Sequence, residues 1–168
     1  LNLEVFSGQI LVLLGHNGAG KTTLLSMISG SKVQTAGSIS IFGRDNIEDE
    51  IEVQKLLGVC PQGSPIFPKL TVWEHVALYA AARGVKNPEG EVEGLLEDLD
   101  LLRKKDRPCG RLSGGERRKL CTALAFVGGS KVILLDEPTS DMDSLSRRQV
   151  WDMLKRNKAG RVFVITTH

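Results

Sequence analysis

The chain is short of several features that would place it elsewhere. It has 3 cysteines in 168 residues. These are Cys60, Cys109 and Cys121; none belongs to a CxxC pair and the odd number leaves one over. A disulfide framework is therefore excluded, a reducing compartment is favoured, and all three are expected to be small buried hydrophobes. Long apolar runs are missing too. The longest, Ile10 to Leu14 and Ala123 to Val127, fall far short of the roughly 20 residues that a membrane-spanning helix needs. There is no excess of one charge: 22 basic and 20 acidic residues are interspersed and leave a net +2. No long-range field points to nucleic acid or to an anionic membrane. Before Ile10 there is neither an initiator Met nor a basic segment leading into an apolar run, so a piece of a longer protein without a signal peptide is expected.

What is present describes an ordinary globular domain. Hydrophobic residues make up 41% and charged residues 25%, which argues against collagen, coiled coil and disorder. A chain of this length buries about 70% of its unfolded surface in a single core. Glycine stands out, at 18 of 168 residues against a usual share of about 7%. That excess points to backbone with positive φ or in close approach to a ligand.

Strand and helix signals alternate at both ends of the chain. Gln9 to Leu14 reads as a buried strand followed by a helix from about Lys21; Ser38 to Phe42 and Leu57 to Cys60 are further strands, the second stopped by Pro61. Thr71-Val-Trp-Glu74 is a capping box opening a helix to Gly84, and Leu95 to Leu102 continues a helical middle. Ser113-Gly-Gly-Glu116 repeats the capping pattern before a helix to about Val127. Lys131 to Leu135 is then a strand, Ser144 to Lys158 a helix, and Val162 to Thr166 a strand. The pattern predicts an α/β core interrupted by a helical insertion.

Three motifs carry chemistry. Gly15-His16-Asn17-Gly18-Ala19-Gly20-Lys21-Thr22 fits GxxxxGK[ST], after a predicted strand and before a predicted helix, with Thr23 following. Glycines there let successive N–H groups face phosphate oxygens, and the helix dipole adds positive potential. Lys21 reaches the β and γ phosphates and the Thr22 hydroxyl suits Mg²⁺. Asp136 and Glu137 end an apolar strand where open α/β sheets bind ligands; Asp136 suits a metal and Glu137 suits water. Leu112-Ser113-Gly114-Gly115-Glu116 is a second helix start whose bare N–H groups are expected to bind another face of the same anion.

Together with Gln62 after a strand, Asp143 and the terminal His168, these motifs resemble the ATP-binding cassette (ABC) domain in order and spacing over essentially the whole chain. Gly15 to Thr22 match Walker A, Leu112 to Glu116 the signature, Asp136-Glu137 the end of Walker B, and Asp143 the end of the D-loop. Gly15 to Lys21, Leu57 to Gln62, Leu70 to His75 and Ala123 to Lys131 are most similar to subfamily A, known chiefly for lipid transport, and to the first of its two cassettes. The resemblance implies a P-loop NTPase core over about 1–62 and 129–168, a helical subdomain over about 63–128, and truncation at both ends. It implies ATP and Mg²⁺ as cofactors, with Lys21 on the phosphates, Thr22, Gln62 and Asp136 around Mg²⁺, Glu137 polarising the attacking water and His168 on the γ-phosphate. Ser113 and Gly115 would touch the nucleotide of an opposing cassette. Implied partners are that second cassette and the membrane domains of a transporter, with the soluble cassette on the cytoplasmic face of the membrane and no nucleic acid.

The sequence departs from that pattern in places. Glu116 stands where the signature often has Gln, and Asp141 and Ser144 where subfamily A commonly has Gly and Pro. The aromatic residue that stacks on adenine falls upstream of Leu1. Only 89 residues separate Thr22 from Leu112, too few for the coiled-coil insertion of chromosome-maintenance relatives. A soluble cassette acting on translation or nucleic acid is the alternative, and a regulatory domain without turnover is a third, against which Glu137 argues. Arg103 to Lys105 and Arg117 to Lys119 are expected to be solvated helix faces, and His16 and His75, lacking a second ligand at metal spacing, to be loop or structural residues.

Overall fold

The computed structural model describes residues 1–167. Its centre is a four-stranded, all-parallel sheet. In chain order the strands are β1 (Ile10–Leu14), β2 (Ser40–Ile41), β3 (Arg44–Asp45), β4 (Leu57–Cys60), β5 (Val132–Asp136) and β6 (Val162–Thr167). The main sheet runs β1-β6-β5-β4, and β2 and β3 pair as a separate hairpin. The helices are α1 (Lys21–Ile28), α2 (Glu50–Leu56), α3 (Val72–Ala82), α4 (Glu89–Asp98), α5 (Gly114–Phe126) and α6 (Ser144–Arg156), so the segment between β4 and β5 is helical.

The two inner strands are apolar almost throughout because both faces of the sheet are covered. Alternation sorts their side chains. Ile133, Leu135, Phe163 and Ile165 point into a core shared with α3, α4, α5 and α6. Val132, Leu134, Val162 and Val164 point to the opposite core with Leu25 of α1 and Val53 of α2. The two-residue periodicity of a strand is what lets one sheet serve two cores. All three cysteines are buried, as expected.

Helix α5 lies directly on β4. A Cβ added at Gly58 would stand 1.7 Å from the carbonyl oxygen of Ala125, so no other residue fits there without separating helix from strand. Both expected capping boxes form: Thr71 with Glu74 starts α3, and Ser113 with Glu116 starts α5.

Several expectations are corrected. The strand expected over Ser38 to Phe42 contracts to β2, because Phe42 and Gly43 take φ of 51° and 79° and turn the chain back into β3. Two positive-φ residues are what a tight hairpin of right-handed twist requires. Helix α2 was not anticipated. Helix α3 ends at Ala82, before Gly84, and α4 ends at Asp98, with a short 3₁₀ turn over Leu102–Lys104 in place of a continued helix. The basic run Arg117 to Lys119 is not a solvated face: Arg118 and Lys119 are 4% and 6% exposed. Helix α5 packs against β4, α3, α4 and α6, so it has no open side beyond its first turn. Lys119 Nζ donates to Gln149 Oε1 on α6. In the other run, Arg103 is exposed as expected, but Lys104 is drawn into an ion pair with Glu116.

Candidate functional site

The site lies at the C-terminal ends of the parallel strands. The loop over 15–20 leaves β1 and enters α1 at Gly20, whose φ of 90° is left-handed and whose missing side chain supplies no cap to the first turn. Gly18 has φ of 82°, and a Cβ added at either Gly18 or Gly20 would meet nothing within 4 Å. The start of α1 is thus bare backbone facing open space, with the positive end of the helix dipole behind it. Lys21 folds back across the loop, Nζ donating to the carbonyls of Gly15 and, at 3.2 Å, His16. His16 itself is an exposed loop residue whose ring Nδ1 lies 2.7 Å from the Asn17 carbonyl.

Behind the loop, Thr22 Oγ1 donates to Asp136 Oδ2 at 2.8 Å, tying α1 to the end of β5. The other oxygen of Asp136 accepts from Thr166 Oγ1 on β6 at 2.5 Å. Asp136 is buried at the sheet end, and one hydroxyl donates to each of its side-chain oxygens. Glu137 follows with φ of 52°. Its amide donates to Thr166 Oγ1 and to the Thr166 carbonyl, at 2.9 and 3.2 Å, which holds the left-handed turn and sends the carboxylate away from the strand. Gln62 Nε2 lies 3.4 Å from Glu137 Oε2. Asn17 to Thr23, Gln62 and Glu137 line one cavity of about 330 Å³.

The residues of the second helix start lie elsewhere. Ser113, Gly114, Gly115 and Glu116 do not line that cavity, nor does Asp143. Ser113 Oγ accepts from the Glu116 amide at 3.2 Å and Glu116 Oε2 from the Ser113 amide at 2.8 Å. The expectation of wholly bare N–H groups there is corrected: the capping box occupies the amide of Glu116. Burial pushes the Glu116 carboxyl up, but hydrogen bonds from Lys104 and the Ser113 amide, with the charges of Lys104 and Arg107, outweigh it and hold the group below its ordinary 4.5. Asp143 caps α6, accepting from the Ser146 amide at 2.9 Å, and that bond lowers its pKa. Ser113, Gly114 and Asp143 are exposed. His168 lies outside the described residues. His75 is buried in the core with Nδ1 3.6 Å from Cys109 Sγ, and burial lowers its pKa; its role is structural, as expected.

Sequence reasoning missed Thr166 and Arg118. Thr166 is a polar residue at the end of a buried apolar strand, and only the β5–β6 register sets it opposite Asp136. Arg118 sits four residues before Thr122 and seven before Ala125, on the stripe of α5 that faces β4.

The donor set fits a nucleotide triphosphate with Mg²⁺. An uncapped helix start beside a lysine suits phosphate. Among the described residues no group of three or more His, Cys, Asp or Glu could hold a metal alone. One buried carboxylate beside a hydroxyl is instead the sparse protein contribution that Mg²⁺ takes when phosphates supply the remaining ligands.

Known proteins resemble the chain in both sequence and fold. The chain is 49% identical over its whole length to the phospholipid-transporting ATPase ABCA3 of Homo sapiens, of which it spans 10%. It is 46% identical to the retinal-specific phospholipid-transporting ATPase ABCA4 of Homo sapiens, of which it spans 8%. Among solved structures, an ATP-binding subunit of an ABC transporter superposes with a TM-score of 0.89 at 27% identity, covering 99% of this chain and 70% of the other. The cbiO1 subunit of Clostridium perfringens, part of the ABC transporter complex cbiONQ, superposes with a TM-score of 0.83 at 25% identity, covering 100% of this chain and 70% of the other. Residues 1–140 match the family described as ABC transporter, and with the nucleotide cradle formed at the sheet end, the chain belongs to that family as an ATP-binding domain.

Proposed function

We propose that this domain binds ATP with Mg²⁺ in the cavity between the 15–23 segment, Gln62 and Glu137, and that hydrolysis there drives lipid translocation by a longer protein of the subfamily A type. The supporting observation is the convergence on one cavity of a bare helix start, a lysine, Gln62 and a carboxylate carried on a strained backbone. In this reading the N–H groups at the start of α1 bind phosphate oxygens and Lys21 turns from the loop carbonyls toward them. Thr22, Gln62 and Asp136 would hold Mg²⁺, which when bound offsets phosphate charge. Glu137 orients a water and accepts its proton, and His168 contacts the γ-phosphate.

Ser113 and Gly115, with Gly114, Glu116 and Asp143, serve the nucleotide of an opposing cassette, so two cassettes close on two nucleotides and reopen after hydrolysis. Residues of about 1–62 and 129–168 form the nucleotide-binding core, and about 63–128 form the helical part that meets membrane domains. Among the described residues no helix is long and apolar enough to cross a membrane, and the cassette would work at the cytoplasmic face, on domains elsewhere in the longer protein. The identity to subfamily A proteins named as phospholipid transporters supports lipid over nucleic acid as the target.

The test is Glu137→Gln in the full-length protein. The amide keeps the shape but cannot take a proton, so ATP binding should persist while this cassette's turnover is lost. Unchanged phosphate release would move the catalytic base elsewhere.

A further inference from the structure

Arg118 is buried on the second turn of α5 and outside the nucleotide cavity. Its guanidinium donates to two segments that the sequence holds far apart. Nη1 donates to the carbonyls of Pro61 and Gln62, at 2.6 and 2.8 Å, and to Ser64 Oγ at 2.7 Å. Nε donates to the Glu137 carbonyl at 3.2 Å, and Nη2 to the Asp136 carbonyl. These acceptors flank the two side chains that meet in the cavity, Gln62 and Glu137.

That meeting is weak in itself. At 3.4 Å the Gln62–Glu137 contact is long for a hydrogen bond, so it fixes the separation of the two groups less firmly than the shorter bonds to their backbones do. Glu137 is held in a left-handed conformation by Thr166 on its amide and by Ser140 and Arg118 on its carbonyl, the kind of over-determination that lets a strained residue persist. A buried cation spent only on packing would be outperformed by an apolar residue of similar volume. A planar fork that joins two loops has no apolar substitute, and a lysine presents a single nitrogen where Arg118 uses three.

We propose that Arg118 is a positioning residue for ATP hydrolysis, fixing Gln62 and Glu137 relative to each other from the helix that starts at Ser113. Displacement of α5 then carries through one side chain to both groups. The inference rests on the reading of Glu137 as the water-activating carboxylate.

The experiment uses the full-length protein. Turnover lost in Glu137→Gln defines this cassette's share; no loss there overturns the reading of Glu137, independently of Arg118. Against that share, Arg118→Met should lower kcat by on the order of tenfold to a hundredfold, the cost of a small misplacement. KM and the affinity for a fluorescent ATP analogue should stay within about threefold, since the phosphate cradle is untouched. Amide exchange in the nucleotide-free protein should quicken at 62–64 and 136–137 while the rest of the cassette is unchanged. Arg118→Lys should recover only part of the rate. Wild-type kcat in Arg118→Met, with turnover lost in Glu137→Gln, overturns the proposal. So does a joint fall of kcat, ATP affinity and exchange protection across the whole cassette, which marks a merely structural residue. If Arg118→Met does not fold, Arg118→Lys decides: reduced kcat at unchanged ATP affinity supports positioning, and wild-type kcat overturns it.

Discussion

Helices α1 and α5 both begin in glycine-rich sequence, yet their starts are built in opposite ways. The residue before α1 is Gly20, which offers no side-chain cap. The residue before α5 is Ser113, which forms a reciprocal capping box with Glu116. One start leaves its backbone donors uncapped; the other turns part of that capacity inward, and its capping carboxylate holds Lys104 as well. Two glycine-rich helix starts in one chain therefore differ in how many backbone donors remain open, and the residue just before the helix decides it.

The strongest way to break this contrast is to remove the cation from the open start. Lys21→Ala should weaken ATP binding on the order of a hundredfold, the scale of a charge-assisted contact, as read by calorimetry on the full-length protein. Equal affinity for both forms would end the phosphate reading of α1.

Next is to cap α1 as α5 is capped. Gly20→Asp places a carboxylate where phosphate is expected and strains a position at φ of 90°; ATP affinity should drop about tenfold or more. Tighter binding would show that the bare donors are not used.

Opening α5 has a smaller effect. Ser113→Ala removes the acceptor for the Glu116 amide and should cost about 1 kcal/mol in chemical denaturation of the cassette, without altering ATP affinity at the α1 cradle. A loss of ATP affinity at the α1 cradle itself, with no loss of stability, would reverse the roles assigned to the two starts.

The smallest effect is electrostatic. Glu116 titrates below its ordinary value in the fold, so its stabilising contribution is present above the unfolded carboxyl value and fades as pH falls through the folded one. The Lys104 pair is partly exposed, and Glu116→Gln should therefore cost no more than about 1 kcal/mol at neutral pH. The gap between wild type and variant should close in acid; a gap that widens below pH 4.5, the ordinary carboxyl value, would contradict the sign.

The parts of the fold that were legible in the sequence are those that local chemistry decides. Leu57 to Cys60 was bounded by its own residues and Pro61, and the boxes at Thr71 and Ser113 are complete within four residues. The phosphate loop was legible because glycine, lysine and threonine act within one turn of helix. Burial of Arg118 and Lys119 was hidden, since a basic run looks solvated until the elements packed around α5 are in place. Likewise α2 and the β2–β3 hairpin depend on contacts with the second core, and the Thr166 clamp on Asp136 exists only through strand register.

The meeting of Gly58 with Ala125 has a mechanical consequence. Side chains between packed elements usually absorb sliding by changing rotamer, but here backbone rests on backbone with no side chain between. A side chain at residue 58 would push the helix off the strand, so the distance of α5 from β4 is fixed at that point by backbone alone.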